Sequence, residues 1–501
     1  EEQARVLRPL LQWAIAGKPG VALIDADRGR GKSSCLGLLV KRLQPRLGVL
    51  VTANSRQSAS ALLQQAPEAE FVAPDRLLLD CPETDLLIVD EAAMIPLSML
   101  RQLTRLYPRL VMATTSGGYE GTGRGFMLRF VADLQRFKLL HYRLEKPVRW
   151  CQGDGLEAWL NRCLMLKADS EPVVATDYPV DDCRLEVLEH PGSAAAWPLL
   201  RQAYALLNAA HYRTRPSDLR LLMENPDLVL IVARLESSVL GVALLNLEGG
   251  LDESLSSEIF YGRRRPRGHL LAQMLTAQAG LRHFACYRGM RVQRIAVLAT
   301  HRRQGLGSRL IERAMQYGRE NLLDYLGASF ALDPDNVRFW QQAHCRVVHV
   351  SYAPGKSSGD HSIAVLRPIA DATETDIRQL QQRLRQQLPT WLTQFLQSME
   401  STQVTALLRY ADYEAGVDEL EQNEIEAFTA GNKGFEICFA SLQKYVMQCI
   451  ARSSIEPDRL LVEKAVQNRD WKLLERESGS EGRRQLQQRL RGLVAALRKA
   501  C

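Results

Sequence analysis

A glycine loop that directly follows a short apolar run is the feature that most limits how this chain can fold. Val21-Ala22-Leu23-Ile24-Asp25 has the composition of a buried strand, and the loop Ala26-Asp27-Arg28-Gly29-Arg30-Gly31-Lys32-Ser33 follows it. Glycines at these positions let backbone N–H groups close on phosphate oxygens. A helix is predicted immediately afterwards, from Ser34 to Leu43. The sequence therefore predicts a strand, a phosphate-binding loop and a helix in succession.

The side chains that follow the glycines favour nucleoside triphosphate hydrolysis. Lys32 would place a positive charge on the β- and γ-phosphates, and Ser33 would bind magnesium. A second apolar strand, Leu86 to Val89, runs into Asp90 and Glu91. We expect Asp90 to be the magnesium carboxylate, either directly or through a bound water, and Glu91 to be the base that orients the hydrolytic water. The alternative is a degenerate loop that hydrolyses nothing.

Apolar strands alternate with helices through the first part of the chain. Besides those two strands, we expect strands at 48–53 and 110–114, and nearly all of their residues are apolar. Such strands predict a parallel sheet covered on both faces, here a RecA-like ATPase domain. Asp90-Glu91-Ala92-Ala93 resembles a helicase motif, and Thr114-Thr115 fits a coupling motif.

Two residues outside the loop are further candidates for the nucleotide. Gln3 could read the adenine base, or it could be an exposed helix residue. Arg149 could contact the γ-phosphate, or it could form a surface salt bridge.

A second loop indicates an acyl-CoA site. Arg302-Arg303-Gln304-Gly305-Leu306-Gly307 precedes a predicted helix from Ser308 to Glu320. Amides at a helix N-terminus bind anions, and the glycines allow a pyrophosphate to approach. The preceding strand, residues 295–297, would offer its main chain to the pantetheine arm. This order of elements is typical of GNAT-type N-acetyltransferases; the alternative is an ordinary strand-to-helix turn.

Acetyl transfer to an amine requires positioning, polarisation of the thioester and removal of one proton. Main-chain N–H groups near Val297 could polarise the thioester. Asp335, His301, His211 or a water could take the proton. Asp335 could equally be the N-cap of a helix predicted from Asn336 to Ala343, and a lone histidine such as His211 is more often structural.

The charge of the chain is unevenly distributed. The net charge of the 501 residues is +7, yet Gly262 to Arg294 contains eight arginines and no acid. The segment from Gly482 to Cys501 contains six lysines or arginines and no acid. Such blocks predict a polyanionic partner. The alternatives are solvated surface and pairing with acids elsewhere.

Cysteine spacing and hydropathy predict the compartment. The ten cysteines contain no C-x-x-C pair, and no run of eighteen apolar residues exists. We therefore expect a cytoplasmic protein with reduced thiols, no zinc site and no membrane association. The chain begins at Glu1 without a methionine, so we expect an N-terminal region to be missing.

The expected architecture is α/β in three parts. Residues 1–183 would form the helicase-like P-loop ATPase domain, and residues 184–370 a GNAT-like N-acetyltransferase domain. Residues 371–501, with long amphipathic helices rich in Gln, Arg and Leu, would form a helical C-terminal domain.

The whole chain resembles the tRNA(Met) cytidine acetyltransferase family, specifically over residues 1 to about 366 and more weakly beyond. Six stretches carry the resemblance: Gly29 to Ser33, Asp90 to Ala93, Gly118 to Phe126, His211 to Thr214, Arg264 to Gly268 and Arg302 to Gly307.

The resemblance implies N4-acetylation of the wobble cytidine in the anticodon of elongator tRNA(Met), with acetyl-CoA as donor and coupled ATP or GTP hydrolysis. By residue match, the nucleotide site would be Gln3, Ala26, Asp27, Arg28, Gly29, Arg30, Gly31, Lys32, Ser33, Ser34, Cys35 and Arg149. The acetyl-CoA site would be Ile295, Ala296, Val297, Arg302, Arg303, Gln304, Gly305, Leu306, Gly307, Ser308 and Asp335. Three positions depart from the family: Gln342 replaces an expected Arg, and His344-Cys345 replaces a Gly-Phe pair.

In this reading, the basic blocks bind RNA. Arg263, Arg264, Arg265 and Arg267 would bind phosphates, and a helical tail with Arg483 and Arg484 would grip the body of the tRNA. The ATPase could drive extraction of the target base from the stacked anticodon loop. No partner protein is predicted.

Two other functions remain open at this point. A protein N-acetyltransferase with an NTPase regulator predicts acetylation that does not require RNA. An RNA-remodelling ATPase that uses the acetyltransferase fold as a scaffold predicts RNA-stimulated hydrolysis without an acetylated product.

Overall fold

The computed structural model describes residues 2–115, 134, 139–165, 180–188, 192–193, 196–210, 216–355, 360–478 and 482–500. These residues form two compact units. The first contains the chain up to Ala243 and the segment Arg294–Gly307; the second contains Leu244–Gln293, Ser308–Gly355 and the chain from Asp360 onward. Within the described ranges, none of the helices combines the length and apolar character needed to cross a membrane. The three-part division at 183 and 370 stays a prediction.

A six-stranded sheet dominates the first unit, and the expectation of a parallel sheet is confirmed. The strand order is β3-β2-β4-β5-β1-β6, and every neighbouring pair is parallel. The strands are β1 Gly20–Ala26, β2 Val49–Thr52, β3 Glu70–Phe71, β4 Leu86–Val89, β5 Arg109–Thr114 and β6 Leu139–Leu144.

Helices cover both faces of this sheet. They are α1 Glu2–Ile15, α2 Lys32–Leu43, α3 Ser60–Gln65, α4 Pro74–Asp80 and α5 Leu97–Leu106. A further helix, α6 Gly155–Cys163, follows β6. Alternate residues of one strand serve opposite cores. Ile24 of β1 lies in the core with α1 and α2, whereas Leu23 lies in the core with α4 and α5. This double burial explains why the strands are apolar throughout.

A second sheet has seven strands in the order β12-β13-β11-β10-β9-β8-β7. They are β7 Arg184–Leu188, β8 Leu228–Leu235, β9 Ser238–Gly249, β10 Arg288–Val297, β11 Tyr325–Ala331, β12 Arg346–Val350 and β13 Ser362–Pro368. Strand β7 is antiparallel to β8, and β13 is antiparallel to both β11 and β12. The parallel pairing of β10 with β11 runs from Gly289 to Val292, and β10 continues for five residues beyond it.

The helices associated with the second sheet include three that the sequence did not predict. The six helices are α7 Trp197–Ala210, α8 Pro216–Glu224, α9 Glu253–Phe260, α10 Leu270–Ala277, α11 Leu306–Glu320 and α12 Pro334–Gln342. The unpredicted helices are α8, α9 and α10, of which α9 and α10 flank the first arginines of the basic block. Asp252 caps α9 by accepting a hydrogen bond from Leu255 N. The buried Glu248 carboxylate of β9 accepts the amide of Leu271 at the start of α10.

The last part of the chain is helical, as expected. Its helices are α13 Asp371–Thr393, α14 Ser401–Tyr410, α15 Glu419–Thr429, α16 Phe435–Arg452, α17 Trp471–Ser478 and α18 Arg483–Ala500, with a π-helical turn at Leu461–Val466. Helix α18 buries Leu486, Leu490 and Val494, whose four-residue spacing forms one apolar stripe.

Candidate functional site

The glycine loop between β1 and α2 adopts a conformation that requires its glycines. Gly29 and Gly31 have φ angles of 77° and 78°, in the left-handed region that side chains disfavour. A Cβ atom built on Gly29 would overlap the Trp150 ring, and one built on Gly31 would overlap the amide of Gln3. A residue larger than glycine at either position would therefore have a strained backbone and would overlap a neighbouring side chain.

Residues that precede this loop and residues that follow it in the sequence form hydrogen bonds with its backbone. The Gln3 amide donates to the carbonyl oxygen of Gly31 at 3.1 Å, and Val148 N donates to the carbonyl of Gly29 at 2.8 Å. The structure thus brings Gln3 to the loop and places Arg149, with an exposed side chain, next to a residue bonded to it. What either residue contacts on a nucleotide stays a prediction.

Arg30 anchors the loop and is 6% exposed. Its guanidinium donates to Glu157 Oε1 at 2.8 Å and to the carbonyl of Glu145 at 3.1 Å. The other oxygen of Glu157 accepts Trp150 Nε1 at 2.6 Å, and the guanidinium lies 5.6 Å from the Trp150 ring centroid. Sequence reasoning missed Trp150 and Glu157. No local pattern connects residues 127 positions apart; the one available signal was a tryptophan beside Arg149.

Lys32 and Glu91, predicted from separate motifs, meet in the structure. Lys32 Nζ lies 2.7 Å from Glu91 Oε1. Thr115, the last described residue before the gap at 116–133, donates its hydroxyl to Glu91 Oε2 at 3.1 Å. The predicted phosphate-binding lysine, the predicted base and the predicted coupling residue therefore form one cluster at the carboxyl ends of β4 and β5.

Asp90 is fully buried beside this cluster. It accepts the amide of Glu91 at 3.0 Å through Oδ1, and Oδ2 has no hydrogen-bond partner among the described residues. Burial, reinforced by the nearby Glu91, raises the pKa of Asp90 to about 6, and the Ser33 hydroxyl and Lys32 partly offset that rise. A buried carboxylate oxygen without a donor, near a serine hydroxyl, matches the oxygen ligands that Mg²⁺ prefers.

The second glycine loop is held by its own neighbours. Arg302 Nε donates to the carbonyl of Val297 at 3.0 Å, and the Gln304 amide donates to the carbonyl of Thr300 at 3.2 Å. Gly305 has a φ of 86°, and a Cβ atom there would meet open space. The exposed loop leads directly into α11, whose first amides form the predicted anion site.

The candidate proton acceptors have different surroundings. The alternative interpretation of Asp335 is wrong, because α12 begins at Pro334 and its N-cap is Asp333, which accepts the amides of Asp335 and Asn336. His301 is 4% exposed, and its Nδ1 lies 2.9 Å from the Thr300 hydroxyl. His211 lies outside the described residues, as do the stretches 118–126 and 211–214.

Part of the basic block is paired with acids elsewhere in the chain. Arg263 binds Glu258 through two hydrogen bonds, of 2.8 and 2.5 Å. Arg291 pairs with Glu248 at 3.3 Å, and Arg294 pairs with Asp218 at 2.8 Å. The exposed arginines of the block that no described ion pair involves are Arg264, Arg265, Arg267, Arg282 and Arg288. The block therefore combines structural ion pairs with exposed charge.

The C-terminal basic helix also uses arginines internally. Arg483 lies 2.9 Å from Glu436, Arg489 lies 2.9 Å from Asp458, and Arg498 pairs with Glu426. Arg484 is exposed. Contact of this helix with RNA stays a prediction.

The departures from the family pattern lie at the end of α12. His344 has a φ of 58°, which explains why a glycine is usual there. Cys345 is buried, and burial raises the pKa of its thiol to about 12. Gln342 is exposed.

Two family models match this chain. Residues 23–167 match RNA cytidine acetyltransferase NAT10/TcmA, helicase domain. Residues 202–323 match GNAT acetyltransferase 2. These matches cover the two glycine loops described above and agree with the α/β architecture predicted for both sheets.

Several relatives are named tRNA(Met) cytidine acetyltransferase TmcA. The tRNA(Met) cytidine acetyltransferase TmcA of Nitrosococcus halophilus is 35% identical over 94% of this chain and 67% of its own length. The TmcA proteins of Citrobacter koseri and Actinobacillus pleuropneumoniae are 40% and 32% identical, over 77% and 85% of this chain. The chain spans 55% and 68% of those two relatives.

Among solved structures, the Escherichia coli ribosomal-protein-S18-alanine N-acetyltransferase covers 38% of this chain and 97% of its own, at 13% identity. The TM-score of 0.26 is too low to support an argument.

Proposed function

This chain belongs to the tRNA(Met) cytidine acetyltransferase family, and we propose that it transfers an acetyl group from acetyl-CoA to N4 of the wobble cytidine of elongator tRNA(Met), coupled to ATP or GTP hydrolysis. The observation that carries the proposal is the presence of both glycine loops in one family member, each followed by a helix that begins within the loop. We assign hydrolysis to residues 1–183, acetyl transfer to residues 184–370 and tRNA binding to residues 371–501, with all three in the cytoplasm.

The first loop suits the phosphates of a nucleotide. Gly29 and Gly31 have left-handed φ angles, which let the amides of the loop turn toward phosphate oxygens, and Lys32 supplies positive charge. Ser33 and the unpartnered oxygen of Asp90 would hold Mg²⁺, which would neutralise charge on the phosphate oxygens. Glu91 would orient the attacking water once Lys32 turns from Glu91 to the phosphates.

The second loop suits the pyrophosphate of CoA. The first amides of α11 would bind the phosphates, and Arg302 and Arg303 would add charge. The end of β10, residues 295–297, would bind the pantetheine arm through its main chain.

The transfer itself requires one bond to form and one to break. The N4 lone pair attacks the thioester carbonyl carbon, the C–S bond breaks, and CoA leaves as the thiolate. Attack leaves a positive charge on N4, so the amine must lose one proton or the adduct reverts. We assign this proton to Asp335, with His211 as the substrate-contacting residue, and the thiolate takes up a proton as it leaves.

The decisive experiment incubates the protein with radiolabelled acetyl-CoA and total tRNA, with and without ATP, and then analyses the nucleosides. We expect labelled N4-acetylcytidine that depends on ATP and is lost in Lys32→Ala. Asp335→Asn should retain ATP hydrolysis but lose product.

Other outcomes would identify the competing functions. Label in protein without RNA would indicate a protein N-acetyltransferase. RNA-stimulated ATP hydrolysis with no labelled product would indicate an RNA-remodelling ATPase. Exposed Lys18 provides a control variant, Lys18→Ala, which removes a positive charge away from the loop and should retain wild-type product formation.

A further inference from the structure

An exposed tyrosine lies beside two guanidinium groups in the second unit. Tyr261, which directly follows α9, is 56% exposed. The Cζ atoms of Arg263 and Arg282 lie 4.8 and 5.6 Å from its ring centroid. Phe260 packs edge-on against the same ring at 5.3 Å. A large aromatic ring is thus held at the surface within a positively charged setting.

Side chains of α9 fix both guanidinium groups. Glu258 accepts two hydrogen bonds from Arg263, at 2.8 and 2.5 Å. Ser257 accepts two from Arg282, at 3.0 and 2.9 Å. The backbone amides of Arg263 and Arg264 both donate to the carbonyl of Glu258. The arginines therefore stay beside the ring without a ligand, so little side-chain entropy is lost when one binds.

The loop that follows adds charge without compensating acid. Arg264, Arg265 and Arg267 are exposed, and the sequence contains no Asp or Glu between Gly262 and Arg294. The end of this loop is rigid, because the carbonyl of Gly268 accepts the amide of Asn246 at 2.9 Å and His269 Nδ1 accepts Gly249 N at 2.9 Å. Three arginines thus follow the ring within six residues on an anchored segment.

We infer that Tyr261 and the arginines at 263–267 and 282 form a platform for single-stranded RNA, on which an unpaired nucleobase stacks against Tyr261 while neighbouring phosphates bind Arg264, Arg265 and Arg267. This inference rests on the proposed function, since it names the part of the enzyme that meets unpaired tRNA nucleotides. Aromatic rings and guanidinium planes are the groups that stack with splayed bases, and arginine forks match phosphate oxygens.

An RNA duplex offers phosphates but no free base face. An acidic peptide likewise offers charge without a ring to stack. The exposed tyrosine therefore favours a single strand over either partner, and the two kinds of contact can be separated experimentally.

The test measures binding by fluorescence anisotropy, with a labelled 12-nucleotide single-stranded RNA and a 12-base-pair RNA duplex as probes. Tyr261→Ala should weaken binding of the single strand about tenfold, in keeping with the loss of one base–aromatic stack. Duplex binding should change less than about twofold, because phosphate contacts dominate it. Tyr261→Phe keeps the ring and should bind the single strand like the wild type.

Two further variants serve as controls. Leu79→Ala removes an apolar side chain that is 74% exposed on α4 and should leave both probes unaffected. Arg265→Gln should reduce the slope of log affinity against log salt by about 0.7 for the single strand, whereas Tyr261→Ala should leave that slope unchanged.

The outcomes separate this inference from the proposed function. If Tyr261→Ala binds the single strand as the wild type does while the wild type acetylates tRNA, the platform is disproved and the proposed function stands. If single-strand binding depends on Tyr261 but no cytidine is acetylated, the platform stands and the proposed function fails. Equal weakening of the single strand and the duplex would also overturn the inference, because it would indicate a general electrostatic surface.

Discussion

The two glycine loops have similar sequence signatures but different supports. The phosphate loop at Gly29–Ser33 is fixed by side chains distant in sequence, with Gln3 on one side and Trp150 and Glu157 on the other. The contacts described for the loop at Arg302–Gly307 include ones within five residues, such as Arg302 to the carbonyl of Val297. The first loop is crowded, whereas the space around Gly305 is open.

This difference separates what each loop can tolerate. A crowded loop presents its amides in one arrangement before the ligand arrives, so a distant substitution can disturb it. A locally supported loop depends mainly on its own backbone conformation. Substitutions that discriminate the two cases follow, from the largest expected effect to the smallest.

Lys32→Ala should have the largest effect. Removing a charge aimed at the transferred phosphate costs on the order of 10²–10³ in kcat. Acetyl-CoA affinity, measured by titration calorimetry, should stay within about twofold. If acetyl-CoA affinity fell together with ATPase kcat, the two loops would not be independent, and the comparison would fail.

Matched glycine substitutions compare the loops directly. Gly29→Ala combines a left-handed φ with overlap against Trp150, so ATPase kcat/KM should fall by at least about 100-fold. Gly305→Ala has the φ penalty alone, about 1–2 kcal/mol, and acetyl-CoA affinity should fall roughly tenfold. Equal losses would show that crowding around Gly29 has no energetic consequence.

The pH dependence should also distinguish the sites. The pKa of Asp90 is raised to about 6, so the carboxyl takes up a proton as pH falls through that value and loses the charge that Mg²⁺ needs. ATPase kcat/KM, counted per MgATP present, should be constant above pH 7 and fall about tenfold per unit below pH 6. A profile that stays flat to pH 5 would contradict the assignment of Asp90.

His344→Gly should produce the smallest effect, opposite in sign to Gly305→Ala. His344 has a φ of 58° after α12, so glycine there should raise the free energy of unfolding by about 0.5–1 kcal/mol. Thermal unfolding would show a rise of a few degrees or less. Lower stability would mean that the imidazole makes a compensating contact.

The comparison also shows what the sequence could predict. Strand β4 was predicted with its observed bounds because its residues are buried on both faces. Strand β6 was missed because it lies at an edge and alternates half-buried and exposed residues. The glycines and Lys32 could be predicted because a phosphate-binding loop requires these residue types at a fixed spacing.

Long-range supports were not predictable in the same way. Glu157 reaches Arg30 across 127 positions, and no periodicity records such a pairing. The acid that binds Arg263 is Glu258 on α9, a helix that the sequence did not predict. Glu258 lies just before the acid-free block that begins at Gly262. The observed N-cap of α12, Asp333, lies two residues before Asp335, the N-cap candidate named from the sequence. The two residues are equally suitable by type, so only the geometry distinguishes them.

The ion pair between Lys32 and Glu91 gives each group a partner that competes with its proposed role in the site. At 2.7 Å, the carboxylate that should orient water is occupied by the amine that should bind phosphate. In the proposed mechanism, an arriving nucleotide would take the lysine from the carboxylate and so free the base only when the substrate is in place. Hydrolysis would then be tied to occupancy of the site.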